Sequence, residues 1–582
     1  MSRSLFLRTI LRQNLIIKSP FTTNKSATTY YQYKSLSTST VLAIQKYNNK
    51  RRRSNSVSNT SLSDAMLPPT KKQAAEQSYG VAKNGVEMKI MLSDKEARIC
   101  NLLEQVSDYI AQTRSDLPRI ESRIAGGWVR DKLLGKDCHD LDVAVNDMMG
   151  YEFATYVNEY LKTNGYPIRT IAKIDSNPAK SKHLETATTK LFDQEVDFAN
   201  LRTEVYEENS RIPATIAFGT PTEDAYRRDI TINSLFYNVN TKRVEDFTER
   251  GLYDLQHGLV RTPLEPFETF RDDPLRVLRC VRFASRFNFE LVPELIDTVK
   301  NKVIRDALET KISRERIGIE LEKMMTGPSP LYAIQMLHQL GLYKLVFEPP
   351  ASITAGTVSD SSLAVRAVGA VQWLSNQNFE KLRPQSTDER RSLYLNSALL
   401  PFLGVSTEFK KRNIPAVHLV LRDSIKFSNN DMNASSTLFR GVPMFEQAVN
   451  NNEISRSELG MIIREMGNLW GIALKLSLVN ELLQFHSDVQ WDKPETIQVT
   501  ESEICKKYHV LYEKAENYGI THCYQWKTML DGKKVATVLG IRPGPGMSEL
   551  MNQIMIWQLE HPDGTEDECK EMIKNYWETR HI

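Results

Sequence analysis

Cysteine is scarce in this 582-residue chain: six, at positions 100, 138, 280, 505, 523 and 569, with no CxxC pair and no framework spacing among them. That excludes a disulfide-stapled scaffold and a thiolate zinc site, and it fits a reducing compartment. The ten histidines form neither an HxH nor an HExxH cluster, so a histidine zinc centre is not expected. Long hydrophobic runs are missing too. Without about 20 consecutive apolar residues no membrane partner is expected. Acid is absent from the first 63 residues, which carry eleven of the 75 Lys and Arg. Setting those eleven aside leaves 64 basic residues against 72 acidic ones, a balance of −8 over the rest of the chain. A nucleic-acid partner must then be met by local basic patches, because the overall field of the body does not attract phosphate.

What is present begins with "MSRSLFLRTILRQNLIIKSP", where Leu7, Leu11 and Leu15 recur at helical spacing beside Arg8 and Arg12. That is the pattern of a mitochondrial transit segment. "KRRR" at 50–53 reads equally as a nuclear address and as a solvated basic run, and starts at Met66 or Met88 would give cytoplasmic and nuclear forms without the transit segment. The length predicts several domains. Residues 1–85 read as targeting and linker sequence, ending in "LPPTKKQAAEQSYG". Up to about 245 the periods mix: "EARICNLLEQVSDYIAQ" is helical, "DLDVAV" and "EVDFANL" are strands, and "INSLFYNV" is a helix or a strand end. Helical periods dominate the remainder. In "SRERIGIELEKMMTGP", Ile317, Leu321, Met324 and Met325 form an apolar stripe that Ser313 can cap and Gly327-Pro328 stops. The stretch 349–392 and "GVSTEFKKRNIP" read as loops, and Thr565 to Glu568 as a capping box. The expected fold class is α+β, a mixed head followed by a long all-α remainder.

Chemistry concentrates in the head. In "KDCHDLDVAVND", Asp140 and Asp142 stand two apart among Leu141, Val143, Ala144 and Val145. Positions i and i+2 share one face of a strand, about 7 Å apart or less, so the two charges require a cation between them. About a dozen residues earlier, "RIAGGWVRDKLLG" sets Gly126-Gly127 between a strand and a helix. Bare backbone N–H groups there form an anion cradle. A cradle beside a carboxylate pair describes a site for a nucleoside triphosphate with a divalent metal, which neutralises acids and phosphates together. A tight turn and a solvated edge strand are the plain alternatives.

A second strand, "EVDFANLRTEVY", offers Asp197 as a third carboxylate, either a metal ligand or a base toward an attacking hydroxyl. Glu195 shares its face and competes for the role. In "DAYRRDITINSLFYN", Arg227 and Arg228 suit phosphates, Asp229 suits a ribose hydroxyl, and Asn233 returns to the same side if the segment is helical. A surface salt-bridge cluster is the alternative. In "FRDDPLRVLRCVRFASRF", Pro274 in the first helical turn makes Asp273 a cap, and Arg276 lies three residues on. Besides a capping acid paired with a helix arginine, such a pair is a base reader. Its carboxylate accepts from an exocyclic amine while its guanidinium donates to the neighbouring ring nitrogen. Cytosine and adenine match that polarity; uracil and guanine leave buried groups unpaired at roughly 1–3 kcal/mol each.

In this order, "GGWVRDKLLG…DLDVAV", "RRDITINSL", "EDFTERGLYDL", "DDPLRVLRCVRF" and "SRERIGIELEKMM" resemble the five motifs of class II tRNA nucleotidyltransferases, the CCA-adding enzymes of the polymerase β superfamily. The motifs span about 123 to 325; "LDGKKVATVLGIRPGPGMSELMNQIMIWQLEHPDGT" is similar to the tail of eukaryotic members, and 330–500 adds little. The resemblance implies a head at 86–245 with an antiparallel sheet, a neck at 246–327 with a template helix, a helical body at 328–490 and a tRNA-binding helical tail at 491–582. It implies that Asp140 and Asp142 hold two magnesium ions, with Asp197 as third carboxylate. Gly126, Gly127 and Arg130 fall on the phosphate-cradling element, and Arg228, Asp229 and Asn233 on the ribose and phosphate contacts. Asp273 and Arg276, with Arg279 in the same motif, fall on the protein template for the base. The family shows Glu-Asp where this chain has Asp272-Asp273; the acid in the reading position is kept.

The implied reaction adds C, C and A to the 3′ end of tRNA from CTP and ATP without a nucleic-acid template, in a monomer. The loop 176–190 is the candidate for switching from C to A. Lys410-Lys411-Arg412, Lys506-Lys507 and Lys533-Lys534 are candidates for the tRNA backbone. The rivals are a bacterial-type poly(A) polymerase, a CC-only or A-only enzyme and, from another class, a tRNA-binding protein with a dead site. His139-Asp140 has no further His/Asp cluster to support a metal-dependent phosphohydrolase.

Overall fold

Ser93 and Glu96 open the first helix, α1 (Asp94–Thr113), with a reciprocal cap: Glu96 N–H donates to Ser93 Oγ at 3.3 Å and Ser93 N–H donates to Glu96 Oε2 at 2.7 Å. Ile99, Leu103, Val106 and Ile110 then recur on its buried face. The computed structural model describes residues 90–138, 140–174, 186–206, 213–348, 360–409, 412–497 and 502–580, all within one compact unit. The transit pattern, the basic run at 50–53, Met66, Met88 and His139 lie outside the described residues.

The head continues as β1 (Ser122–Ala125), α2 (Gly127–Leu133), β2 (Leu141–Val145), α3 (Gly150–Thr163), β3 (Ala172–Ile174), β4 (Thr186–Leu191), β5 (Gln194–Asn200), β6 (Arg202–Tyr206), β7 (Pro213–Phe218), α4 (Pro221–Tyr226), β8 (Phe236–Asn238) and β9 (Arg243–Glu245). Seven strands form one sheet in the order β3-β4-β5-β2-β1-β8-β9, and β6 and β7 form a separate hairpin. One correction concerns direction. The sheet is mixed, because β2 and β5 run parallel while its other neighbours are antiparallel. A parallel pair needs a long crossover, here supplied by α3 and the β3–β4 hairpin. Its register sets Asp142 opposite Asp197. Leu141, Val143, Val145, Val196 and Phe198 are buried in the same core as α1 and α3, worth roughly 1.5–3 kcal/mol per side chain. A slip of either strand by one residue would drive its aspartate into that core, so the apolar alternation fixes the register.

The candidate switching loop falls partly outside the described residues; its last five residues, 186–190, belong to β4. "INSLFYNV" resolves into a 3₁₀ turn at Thr231–Asn233 followed by β8.

After the head come α5 (Gly251–His257), α6 (Pro266–Asp272), α7 (Arg276–Phe287), α8 (Pro293–Val299), α9 (Lys302–Lys311), α10 (Arg314–Met325), α11 (Pro330–Gln339) and α12 (Tyr343–Val346). Ser313 occupies the N-cap of α10, but its side chain makes no cap bond. Gly318 lets α10 lie against the chain at 425, where a Cβ would stand 1.9 Å from the Ile425 carbonyl oxygen.

Two loop expectations need correction: 362–375 is helix α13 (Ser362–Ser375), and "GVSTEFKKRNIP" contains the antiparallel hairpin Ser406–Phe409 with Arg412–Pro415. Apolar runs in α13 bury all round and have no strong single-face period, which is why they read as irregular. Further helices, α14 (Thr387–Ala398), α15 (Ala416–Leu419), α16 (Asn429–Asn450), α17 (Arg456–Met466), α18 (Trp470–Phe485) and α19 (Glu503–Asn517), share a continuous core with the head. The last three, α20 (Gly532–Leu539), α21 (Met547–Glu560) and α22 (Glu566–Arg580), enclose a separate small core around Leu530, Val535, Leu550, Ile554, Cys569 and Ile573. The Thr565–Glu568 capping box opens α22, with Glu568 N–H donating to Thr565 Oγ1 at 3.3 Å. Among the described residues no helix is long and apolar enough to cross a membrane.

Candidate active site

A cleft of about 770 Å³ lies between the head sheet and helices α7 and α10. Gly126, Gly127, Arg130, Asp140, Asp142, Arg228, Asp229, Asn233, Asp273, Arg276 and Arg279 all line it. Asp197 stands behind that lining, beside Asp142 in the sheet. Ten cationic side chains face five carboxylates around the cleft, so it favours a polyanion.

Asp140 precedes β2, and Asp142 turns outward between buried Leu141 and Val143. Asp197 Oδ1 accepts from the Thr188 hydroxyl at 2.5 Å. Glu195, two residues earlier, has Lys190 of β4 as its cross-strand partner. Solvent reaches Asp142, yet protein atoms crowd it. That crowding and then the charge of Asp197 push its carboxyl above the usual range; Arg228 opposes the rise and Asp140 adds to it.

The Gly-Gly cradle is fixed from both sides. Gly126 has φ +68°, and a Cβ there would stand 2.7 Å from Arg228 Nη1, so glycine is required by conformation and by space. Arg228 Nη1 donates to the Asn233 carbonyl at 3.1 Å, and Arg228 Nε to Asp224 Oδ2 at 3.0 Å. Glu96, the cap of α1, accepts from Trp128 Nε1 at 2.9 Å and pairs with Lys132 at 2.8 Å, anchoring α2. Arg130 is buried, donating to Asp131 Oδ1 at 2.8 Å and to Asn233 Oδ1.

Asp229 and Asn233 come together without an α-helix: Asn233 Nδ2 donates to Asp229 Oδ1 at 3.1 Å across the 3₁₀ turn. Arg279 Nη2 lies 2.6 Å from Asp229 Oδ2. Burial alone would raise the Asp229 carboxyl, but Arg279 and the Asn233 amide hold it down at about 2. A depressed carboxyl adds stability that is complete above its ordinary value near 3.8 and is lost as pH falls toward 2. Asp229→Asn is therefore expected to cost roughly 2 kcal/mol at pH 7. The loss should disappear near pH 2, as read from urea midpoints across that range.

The neck supplies the opposite wall. Helix α7 begins at Arg276, two residues beyond Pro274, and Asp273 caps the turn before it: Leu275 N–H donates to Asp273 Oδ1 at 3.2 Å. Their backbones are joined, Arg276 N–H donating to the Asp273 carbonyl at 3.0 Å, but their side chains take different partners. Arg276 Nη2 donates to the Arg227 carbonyl at 2.6 Å, while Asp273 Oδ2 accepts from Arg316 Nη2 at 3.0 Å. Both reader groups are thus held apart and aimed into one cleft. The Arg227-Arg228 string is a salt-bridge cluster as well as a lining, since both residues pair with buried Asp224.

Sequence reasoning leaves out several lining residues. Arg282, Phe283 and Arg286 continue the face of Arg276 and Arg279 along α7, a helical spacing visible in the sequence. Arg202 and Glu204 on β6, and Arg316 and Lys323 on α10, carry no such signal. Of the basic pairs proposed for RNA, Lys506 pairs with Glu503 and Lys534 with Glu566; Lys410 and Lys411 lie outside the described residues.

A triphosphate-sized cationic cleft with carboxylates from adjacent strands on this mixed sheet defines a nucleotidyltransferase. Residues 122–261 match the Poly A polymerase head domain family, and 304–352 match the family described as probable RNA and SrmB-binding site of polymerase A. The mitochondrial CCA tRNA nucleotidyltransferase of Candida glabrata is 37% identical over 523 residues, covering 84% of this chain and 96% of its own length. That of Saccharomyces cerevisiae is 37% identical over 522 residues, covering 84% and 94%. The Bacillus stearothermophilus CCA-adding enzyme in complex with CTP has the same fold, with a TM-score of 0.54 at 19% identity over 83% of this chain and 98% of that one. The chain belongs to the CCA tRNA nucleotidyltransferase family.

Proposed function

We propose that this enzyme adds C, C and A in turn to the 3′ end of tRNA from CTP and ATP, with no nucleic-acid template, releasing pyrophosphate. The observation that carries the base choice is the pair Asp273 and Arg276, both lining the cleft and each held by a different neighbour. In this reading Arg276 donates to N3 of cytosine or N1 of adenine, and Asp273 accepts from the exocyclic amine. The bare backbone at Gly126-Gly127 and the Arg228 guanidinium receive the triphosphate. Asp229 and Asn233 read the ribose, and Arg279 orients Asp229.

Asp140 and Asp142 would hold magnesium, with Asp197 as the third carboxylate because it is the register partner of Asp142. The donor set fits. It is all oxygen, as a hard cation requires, and Asp142 and Asp197 stand as register partners on adjacent strands. Among the described residues no three metal-ligating side chains form a cluster. Magnesium needs only one or two carboxylates, because waters and substrate phosphates complete its shell. When bound, it would promote ionisation of the primer hydroxyl and stabilise charge on the departing pyrophosphate. In this reading the protein aligns the tRNA 3′-hydroxyl with the α-phosphorus, and Asp197 is the candidate to accept the hydroxyl proton.

The same reading divides the chain into head, neck, body and tail at 86–245, 246–327, 328–490 and 491–582. It assigns a monomeric enzyme to mitochondria, supported by the names of the yeast relatives and by the Arg/Leu pattern near residue 10. Forms starting at Met66 or Met88 serve the cytoplasm and nucleus. The test is incubation with tRNA ending at the discriminator base, CTP and ATP, followed by sequencing of the products. Ends reading CCA are expected; an A-only tail, or a stop after CC, would replace this reading with one of its rivals.

A further inference from the structure

Eight of the ten cationic side chains around the cleft are ion-paired to a carboxylate. Among the described residues only Arg276 and Lys323 are not. Arg276 has a part in base reading. Lys323 has none, although it lines the same cleft from α10 with its side chain exposed.

Its place on the helix is informative. At 100° per residue, Arg316, Ile319 and Lys323 fall within about 60° of one another on one face. Glu320 lies on the other flank of that face, buried against Arg282, and Ile319 lies on the flank open to solvent. It is 53% exposed, so an apolar side chain stands open to solvent on the same helix face as Lys323. The stripe begins at Arg316, which holds the reader acid Asp273, and runs along α10 to its last turn. There Glu322 pairs with Arg391 of α14 and the chain passes into the helical remainder. It therefore connects the nucleotide subsite to the helical part of the molecule.

Resting on the function proposed above, we infer that the Arg316–Ile319–Lys323 stripe of α10 is the seat of the growing RNA 3′ end. Lys323 pairs with a backbone phosphate of the terminal single-stranded nucleotides. Ile319 packs against the sugar or base of the same segment. Arg316, already committed to Asp273, joins the seat on α10 to the template at the start of α7. The triphosphate has its own cradle on the head wall, the Gly126-Gly127 backbone beside Arg228. An uncompensated lysine beside an exposed isoleucine suits an RNA strand, whose phosphates want charge and whose bases want an apolar surface.

The experiment is a steady-state titration of tRNA ending at the discriminator base, with full-length enzyme and CTP, over a range of KCl concentrations. Lys323→Glu is expected to raise KM for tRNA about tenfold and leave KM for CTP within twofold. Lys323→Ala should lower the slope of log KM for tRNA against log salt by about 0.7, the share of one single-stranded phosphate. Lys323→Arg should restore both, and Ile319→Asp should raise KM for tRNA alone. Unchanged KM and salt slope in Lys323→Ala, beside an active wild type, would overturn the seat and leave the proposed function standing. An inactive wild type would instead overturn the function.

Discussion

Replacing Asp140 and Asp142 together by alanine is expected to reduce C addition by about 1,000-fold or more in a single-turnover assay with excess enzyme. A metal clamp on a reacting phosphate contributes several kcal/mol, and each 1.36 kcal/mol is a factor of ten. The fold should survive. Both side chains are open to solvent, and the core that fixes β2 is made by Leu141, Val143 and Val145. Loss of the two carboxylates removes the burial of the Asp142 charge and its repulsion by Asp197, which together raise its carboxyl, so the thermal midpoint should rise or stay level. Normal incorporation by a well-folded double variant would remove the carboxylate site from the mechanism. A collapse in stability would instead assign the pair a structural role.

The second large effect is on selectivity. Asp273→Ala removes the acceptor for the exocyclic amine while the Gly126-Gly127 cradle, Arg228 and Asp229 remain. In a competition between CTP and UTP on the same tRNA, preference for CTP is expected to fall 10- to 100-fold, the equivalent of about 1–3 kcal/mol for one unpaired buried group. Uracil presents a carbonyl where cytosine has an amine, and the variant no longer sets a carboxylate against it. Arg316 loses its carboxylate partner in the change, so a modest fall in kcat accompanies the loss of choice. If CTP stayed as strongly favoured as in the wild type, the base would have to be read by other groups.

These effects trace to residues whose chemistry was visible at different levels. The Asp-x-Asp strand, the Gly-Gly turn and the Arg spacing of α7 are local patterns, periods of two or near 3.6, and they survive in the folded molecule at the positions read. The choice between Asp197 and Glu195 was not visible. Both sit on the same face of β5, and only the parallel register with β2 brings Asp197 opposite Asp142. The antiparallel sheet is what the resemblance implies, and the residues themselves carry no signal of direction, because strand periodicity is identical in parallel and antiparallel sheets. Likewise Asp273 and Arg276 could be placed on one helical face, but their partners, Arg316 and the Arg227 carbonyl, come from segments about 40 to 50 residues away.

The sequence by itself determined the family, the order of its motifs and the identity of most cleft residues, because each motif is a short run whose chemistry depends on near neighbours. Only the tertiary structure decided which charges are already neutralised. Asp224 compensates Arg227 and Arg228, Asp229 and Glu320 compensate Arg279, and Lys323 has no such partner among the described residues. Ion pairing depends on distances of a few ångströms between segments far apart in the chain, and no spacing in the sequence encodes them.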